Sequence, residues 1–138
     1  MSINSSDPWE TLNPTFAGIR REGRVLPEHY EAIHDAFPDK TTKALELVAN
    51  RKVEMLETNQ SRVFWVVHGS SGTYLTFPDF YCTCPDFLFH GVMKGVRRHV
   101  CYHLLARKLA EVTGFFEKTA VTEREFARFL KDVIKFFR

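Results

Sequence analysis

Three cysteines and one histidine stand in two close pairs in this sequence. One residue separates Cys82 from Cys84, and after sixteen intervening residues Cys101 and His103 repeat that spacing. Thiolate sulfur and imidazole nitrogen are soft or borderline donors, and three Cys with one His match the donor set of a tetrahedral zinc site. Four protein donors fill the tetrahedron and leave no position for water. The pattern therefore predicts one structural Zn²⁺ rather than a catalytic one.

The elements that carry these donors must bring two distant pairs together. Residues i and i+2 of a strand point to the same side, so Cys82 and Cys84 face one ion if they lie on a strand. Residues i and i+2 of a helix lie far apart around its axis, so Cys101 should precede or begin the helix that carries His103. The spacing predicts a strand end and a helix start with the ion between them.

Other interpretations of these residues stay open. The cysteines could be ordinary buried thiols. A thiol could act as a nucleophile with His103 as its base, but the sequence has no recognisable oxyanion loop or orienting group. His90 and His99 lie between the two pairs and could replace a ligand, although such residues are more often exposed or hydrogen-bonded.

The composition is that of a folded protein of about one domain. The chain has 138 residues, of which 44% are hydrophobic and 26% charged, so it can bury a core without many cross-links. No stretch reaches 18 apolar residues and no secretory signal is recognisable, so we expect no membrane span and a reducing compartment. A Gly-x-x-x-x-Gly-Lys loop is absent, so any ATPase activity must belong to a partner protein. We also expect no small-molecule substrate.

The order of elements predicts an α+β fold in one domain. Residues 1–26 contain two prolines and two glycines without a sustained period, and we interpret them as an irregular N-terminal arm. Residues 27–138 are interpreted as a single domain with a zinc-finger core over residues 73–113. N-terminal helices beginning at Pro27 and near Thr41 precede the finger.

A small antiparallel β-meander is predicted between these helices and the finger. Alternating and β-branched residues favour strands at 53–57, 62–68, 73–77 and 80–84, with turn residues between them. Helices then begin near Pro85 and after Cys101, and the second ends at Gly114. The predicted architecture is N-terminal helices, meander, Cys₃His site and C-terminal helices.

The last helix, predicted over residues 122–137, has the most regular pattern. Thr122 and Glu125 have the spacing of a capping box. An apolar stripe follows at helical spacing, formed by Phe126, Phe129, Leu130, Val133, Ile134 and Phe137. Such a stripe is more often core, and otherwise it is a surface for a partner protein or a second copy.

Basic residues are concentrated in the second half of the chain. Residues 81–138 carry 11 Lys and Arg against 6 Asp and Glu, whereas residues 1–80 carry 8 against 11. Lys94, Arg97 and Arg98 lie between the two ligand pairs, where a basic loop could contact DNA phosphates. The alternative is a solvated connection between two helices.

The Cys82-x-Cys84 and Cys101-x-His103 pairs together resemble the SWIM zinc finger. Ala106 extends the second pair to Cys-x-His-x-x-Ala, which is similar to the SWIM subunit of the Shu complex, a small family of about this chain length. The segments 42–48, 62–74 and 101–106 also resemble that family. The resemblance covers about residues 27–115.

This resemblance implies a non-enzymatic role in homologous recombination and the repair of DNA damage. Such proteins form a heterodimer with a RecA-like recombinase paralogue, promote assembly or stability of recombinase filaments on single-stranded DNA, and act in the nucleus. DNA would be contacted indirectly or through the complex. Ala106, one turn after His103, would let its helix pack closely behind the metal. The rival hypothesis is a free-standing, zinc-dependent DNA-binding module of the transposase or transcription-factor type.

Overall fold

A computed structural model of the chain describes residues 7–78, 81–95 and 99–134, and excludes the side chains of residues 133 and 134. It has the predicted α+β fold. In chain order the elements are α1 (Pro8–Glu22), α2 (Pro27–Ala36), α3 (Thr41–Ala49), β1 (Val53–Thr58), β2 (Val63–His68), β3 (Thr73–Phe77), β4 (Tyr81–Cys82), α4 (Pro85–Phe87) continued by a π-helix (Leu88–Met93), α5 (Tyr102–Thr113), β5 (Glu117–Val121) and α6 (Glu123–Ile134). Within the described ranges no helix has the length and apolarity needed to cross a membrane.

The prediction of an irregular arm over residues 1–26 is wrong where the structure describes it, because α1 is a regular helix. Pro8 takes the first helical position, where a missing N–H costs nothing. The Asp7 carboxylate accepts a hydrogen bond from the Trp9 N–H at 3.0 Å, and Gly23 ends the helix with φ 76°. The two prolines make the helical pattern difficult to recognise in the sequence. The helix nevertheless has an apolar face at helical spacing, formed by Trp9, Leu12, Phe16 and Ile19, all of which are buried.

The sheet has five strands in the order β4-β3-β2-β1-β5. Strands β1 to β4 form the predicted antiparallel meander. The fifth strand, β5, lies parallel to β1, with Glu54 opposite Glu117 and Thr58 opposite Val121, so the sheet is mixed rather than purely antiparallel. The sequence predicts no strand here because β5 is short and rich in charge, and its partner strand lies about sixty residues earlier.

The two faces of the sheet pack against different helices. Trp65 and Val67 of β2 belong to the main core, which also receives the buried residues of α1, α3 and α5. The intervening Val66 points to the opposite face, as strand alternation requires, and contributes to a second cluster with Phe126 of α6. The zinc-binding sequence lies on the side of the main core, between β4 and the buried helix α5.

Replacement of Ile19 by alanine tests whether α1 belongs to this core. Ile19 is fully buried, so Ile19→Ala should lower the free energy of unfolding by about 2–5 kcal/mol, through lost burial and the cavity that remains. The exposed Asn13 on the same helix is the control, and Asn13→Ala should change stability by about 0.5 kcal/mol or less. Urea denaturation gives both values. Equal, small effects of the two substitutions would contradict the docking of α1.

Candidate metal centre

Four side chains from two separate parts of the chain meet beside the edge of the sheet. Cys82 ends β4, and Cys84 follows at the N-terminal cap of α4. Cys101 is the N-terminal cap of α5, and His103 lies in the first turn of that helix. The strand end and the helix start therefore lie where the spacing predicts them, although β4 is shorter than predicted and Cys84 lies beyond it.

The backbone around Cys84 keeps this pair in place beyond the end of β4. The Thr83 N–H donates to the carbonyl of Leu75 at 3.1 Å, and the Thr83 hydroxyl accepts from the Leu75 N–H at 3.0 Å. The Phe87 N–H donates to the Cys84 sulfur at 3.4 Å. A sulfur at a helix N-terminus receives such donors readily, and they favour its anionic form.

The four donors fit a single tetrahedral ion. Each residue offers one ligand atom, and these atoms all lie within 4.8 Å of one another. Zinc–sulfur bonds of about 2.3 Å and zinc–nitrogen bonds of about 2.0–2.1 Å give donor separations of about 3.5–3.8 Å. All four residues are buried. Both ring nitrogens of His103 lack a hydrogen-bond partner in the described structure, and a metal ion bound to one of them would offset part of the cost of burying this imidazole.

Aromatic rings and a glycine confine the imidazole of His103. Its ring centroid lies 4.7 Å from that of Tyr74 and 4.2 Å from that of Tyr102. A Cβ atom at Gly69 would lie 3.1 Å from the Nε2 atom of His103 and 3.2 Å from the Tyr74 ring. Gly69 thus leaves the space that the imidazole occupies. In the sequence Gly69 is recognisable only as a turn residue, so its role beside His103 could not be predicted.

The three thiols are buried and hydrogen-bond to one another, so their pKa values diverge. Burial raises the pKa of Cys101 to about 12. Hydrogen bonds with Cys101 and Cys84 raise the pKa of Cys82, whereas hydrogen bonds from Cys101 and Cys82 lower the pKa of Cys84. Zinc must displace the protons of the thiols that remain neutral, so binding releases protons and acidification releases zinc.

Comparison with known proteins was made for the whole chain. No family model and no solved structure matches it. The chain is 28% identical over 123 residues to human zinc finger SWIM domain-containing protein 7, with 88% of this chain and 87% of that protein covered. It is 30% identical over 121 residues to the Danio rerio protein of the same name, covering 86% and 84%. It is also 33% identical over 90 residues to an uncharacterized Archaeoglobus fulgidus protein, covering 65% and 70%.

The chain belongs to the zinc finger SWIM domain-containing protein 7 family. The resemblance that the cysteine and histidine spacing indicated is thereby confirmed over most of the chain. With the Cys₃His cluster assembled and the family shown, the predicted cofactor, a single structural Zn²⁺, is confirmed. Cys82, Cys84, Cys101 and His103 are the residues that would hold it.

Ala106 lies one turn after His103 on the buried face of α5. It is fully buried, and so are its neighbours Leu105 and Arg107. Because the side chain of Ala106 is fully buried, a larger side chain at this position would displace its neighbours. In this SWIM protein the burial of Ala106 agrees with the motif, which predicts a small residue where the helix packs closely.

Of the two interpretations of the last helix, the structure favours core over a partner surface for the side chains that it describes. Phe126 stacks on Phe64 of β2 with ring centroids 3.8 Å apart and is only 3% exposed, so it belongs to the core. Phe129 and Leu130 are partly buried and pack against the same cluster. The described part of the stripe therefore packs on the core, because α6 lies over this face of the sheet. The side chain of Val133 and the whole of Phe137 lie outside the described residues.

The predicted DNA contacts stay a prediction. Lys94 is exposed, and its Nζ atom lies 5.4 Å from the centre of the Phe89 ring. Arg97 and Arg98 lie outside the described residues. Of the three residues predicted to contact phosphates, Lys94 is therefore the one whose position the structure describes.

Removal of a ligand tests the metal centre. His103→Ala should lose zinc and the cooperative thermal transition, because binding free energy at a closed structural site is folding free energy. The control is His34→Ala, which removes an exposed histidine on α2 that stacks on Tyr30. Metal analysis after dialysis against a weak chelator, together with calorimetry, measures both properties. A His103→Ala protein with a full zinc equivalent and an unchanged melting curve would show that the ligand set is wrong.

Proposed function

We propose that this SWIM protein is a non-enzymatic accessory subunit of homologous recombination and DNA repair. It binds a RecA-like recombinase paralogue as a heterodimer in a Shu-type complex. The heterodimer promotes the assembly or stability of recombinase filaments on single-stranded DNA in the nucleus. Membership in the zinc finger SWIM domain-containing protein 7 family carries this proposal, since the resemblance to the Shu-complex subunit covers the same residues.

The closed metal centre supports a role without catalysis. Four buried protein donors complete a tetrahedral shell, and a metal-bound water or substrate would need a position that this shell does not provide. The zinc then fixes β4 to the start of α5 and contributes to folding. Zinc would act in the complex by preserving the shape of the finger.

Exposed apolar side chains on the finger support a role in protein binding. The π-helix between the two ligand pairs carries Phe89, Val92 and Met93, which are 46%, 54% and 77% exposed. A groove of about 410 Å³ runs beside it, between the strand β3 and the start of α4. Neighbouring exposed apolar residues of this kind are typical of surfaces that a partner protein covers.

Co-purification tests the proposal directly. The chain is co-expressed with the RecA-like paralogues of the same genome and purified at moderate salt with nuclease present. We expect a 1:1 complex that survives nuclease and carries the structural zinc. Recovery of the chain without such a partner, together with salt-sensitive binding of free DNA, would favour the rival DNA-binding module.

The surface of the π-helix can be tested with matched substitutions. Val92→Asp should weaken binding of the paralogue by about tenfold or more, because it places a charge in a desolvated apolar contact. Val63→Asp is the control, since Val63 is 48% exposed at the start of β2. Both variants should retain zinc. Equal affinities of the two variants for the paralogue, measured by calorimetry, would exclude the π-helix as the contact surface.

A further inference from the structure

A second group of metal-binding side chains lies beside the Cys₃His centre. Asp86 in α4, His90 in the π-helix and His99 before α5 each offer a ligand atom, and these atoms all lie within 4.8 Å of one another. None of the three belongs to the SWIM ligand set. We propose that they form a second site, for a divalent transition-metal ion.

The donor atoms of this group lie slightly closer together than the donors around a metal ion. The Nδ1 atom of His90 lies 3.0 Å from Oδ1 of Asp86, and the Nε2 atom of His99 lies 2.9 Å from Oδ2 of the same carboxylate. Metal–nitrogen and metal–oxygen bonds of about 2.0–2.2 Å in tetrahedral geometry put neighbouring donors about 3.3–3.6 Å apart. An increase of about half an ångström in these separations would therefore admit an ion between the carboxylate and the two imidazoles.

The surrounding structure holds the two imidazoles together. Their rings stack with centroids 5.0 Å apart and planes inclined by 27°, and the ring of His99 also contacts Phe87 at 5.9 Å. The side chain of His99 is 12% exposed, whereas those of Asp86 and His90 are 41% and 45% exposed. His99 is thus largely buried, whereas Asp86 and His90 are open to solvent, so an ion can reach the group from solvent.

The backbone conformation supports the same assignment. His90 lies in a π-helix, a geometry that is rare in proteins and is frequent at functional sites. Its Nδ1 atom lies 3.2 Å from the carbonyl oxygen of Asp86 as well as near the carboxylate, so the ring nitrogen is directed back toward the start of α4. The spacing of four residues along the helical turn brings the imidazole to the carboxylate.

The donor set defines the class of ion. Two imidazole nitrogens and one carboxylate suit Zn²⁺, Co²⁺ or Ni²⁺, whereas Mg²⁺ and Ca²⁺ prefer oxygen donors. Three protein donors leave positions for water, so this site should bind more weakly than the closed Cys₃His centre. An ion here would link α4 to the segment that precedes Cys101 and would stabilise the finger by mass action.

Metal titration of the tag-free protein tests the second site. Protein with one equivalent of zinc is titrated with ZnCl₂ in a calorimeter. Wild-type protein and the control His34→Ala should bind a second equivalent. In Asp86→Asn and His90→Ala the affinity for that equivalent should fall by at least about tenfold. Millimolar MgCl₂ should not compete. Saturation of the wild type at one equivalent, or an unchanged second equivalent in both variants, would overturn the proposal.

Cobalt absorption provides a test that needs no variant. The first equivalent of Co²⁺ added to metal-free protein should give thiolate-to-metal charge-transfer bands, because it enters the Cys₃His centre. The second should add ligand-field absorption without further charge transfer, because its donors are nitrogen and oxygen. Growth of the charge-transfer bands during the second equivalent would place that ion on sulfur and would contradict the assignment.

Discussion

The fold of the finger depends on one interaction, the attraction between a divalent cation and four buried donors. Cys82, Cys84, Cys101 and His103 lie together in a dry region, and the two ring nitrogens of His103 have no hydrogen-bond partner in the described structure. Buried thiolates are unfavourable there without a counter-charge, and a buried imidazole nitrogen is unfavourable without a partner. Zinc supplies that charge and joins β4 to α5, the helix on which the main core packs.

This constraint also explains how the finger can present a surface without chemistry of its own. A closed shell fixes both ends of the segment between the ligand pairs, which contains the short helix and the π-helix. In this segment Phe87 is buried, whereas Phe89, Val92 and Met93 are exposed. A partly apolar surface that is anchored by the metal ligands suits a subunit that acts through contacts with other proteins.

The sequence allowed prediction where the pattern was local. The ligand pairs and the capping box, in which Thr122 and Glu125 exchange hydrogen bonds of 2.8 and 3.0 Å, involve residues only a few positions apart. Strand β5 was missed because only β1, far away in the chain, gives it a partner. Helical spacing showed that Phe126 lies on an apolar face but not that Phe64 covers it. Helix α1 is hard to predict because Pro8 and Pro14 are typical of irregular chain, whereas Pro8 here occupies the first position of the helix.

X-ray absorption at the zinc edge tests the central claim most directly. The sample is full-length protein loaded with one equivalent of zinc. The account predicts a first shell of three sulfur atoms at about 2.3 Å and one nitrogen at about 2.0–2.1 Å, without an exchangeable water. A shell dominated by oxygen and nitrogen, or one with fewer sulfur atoms and a bound water, would contradict a closed Cys₃His site. It would also remove the reason to regard the zinc as structural.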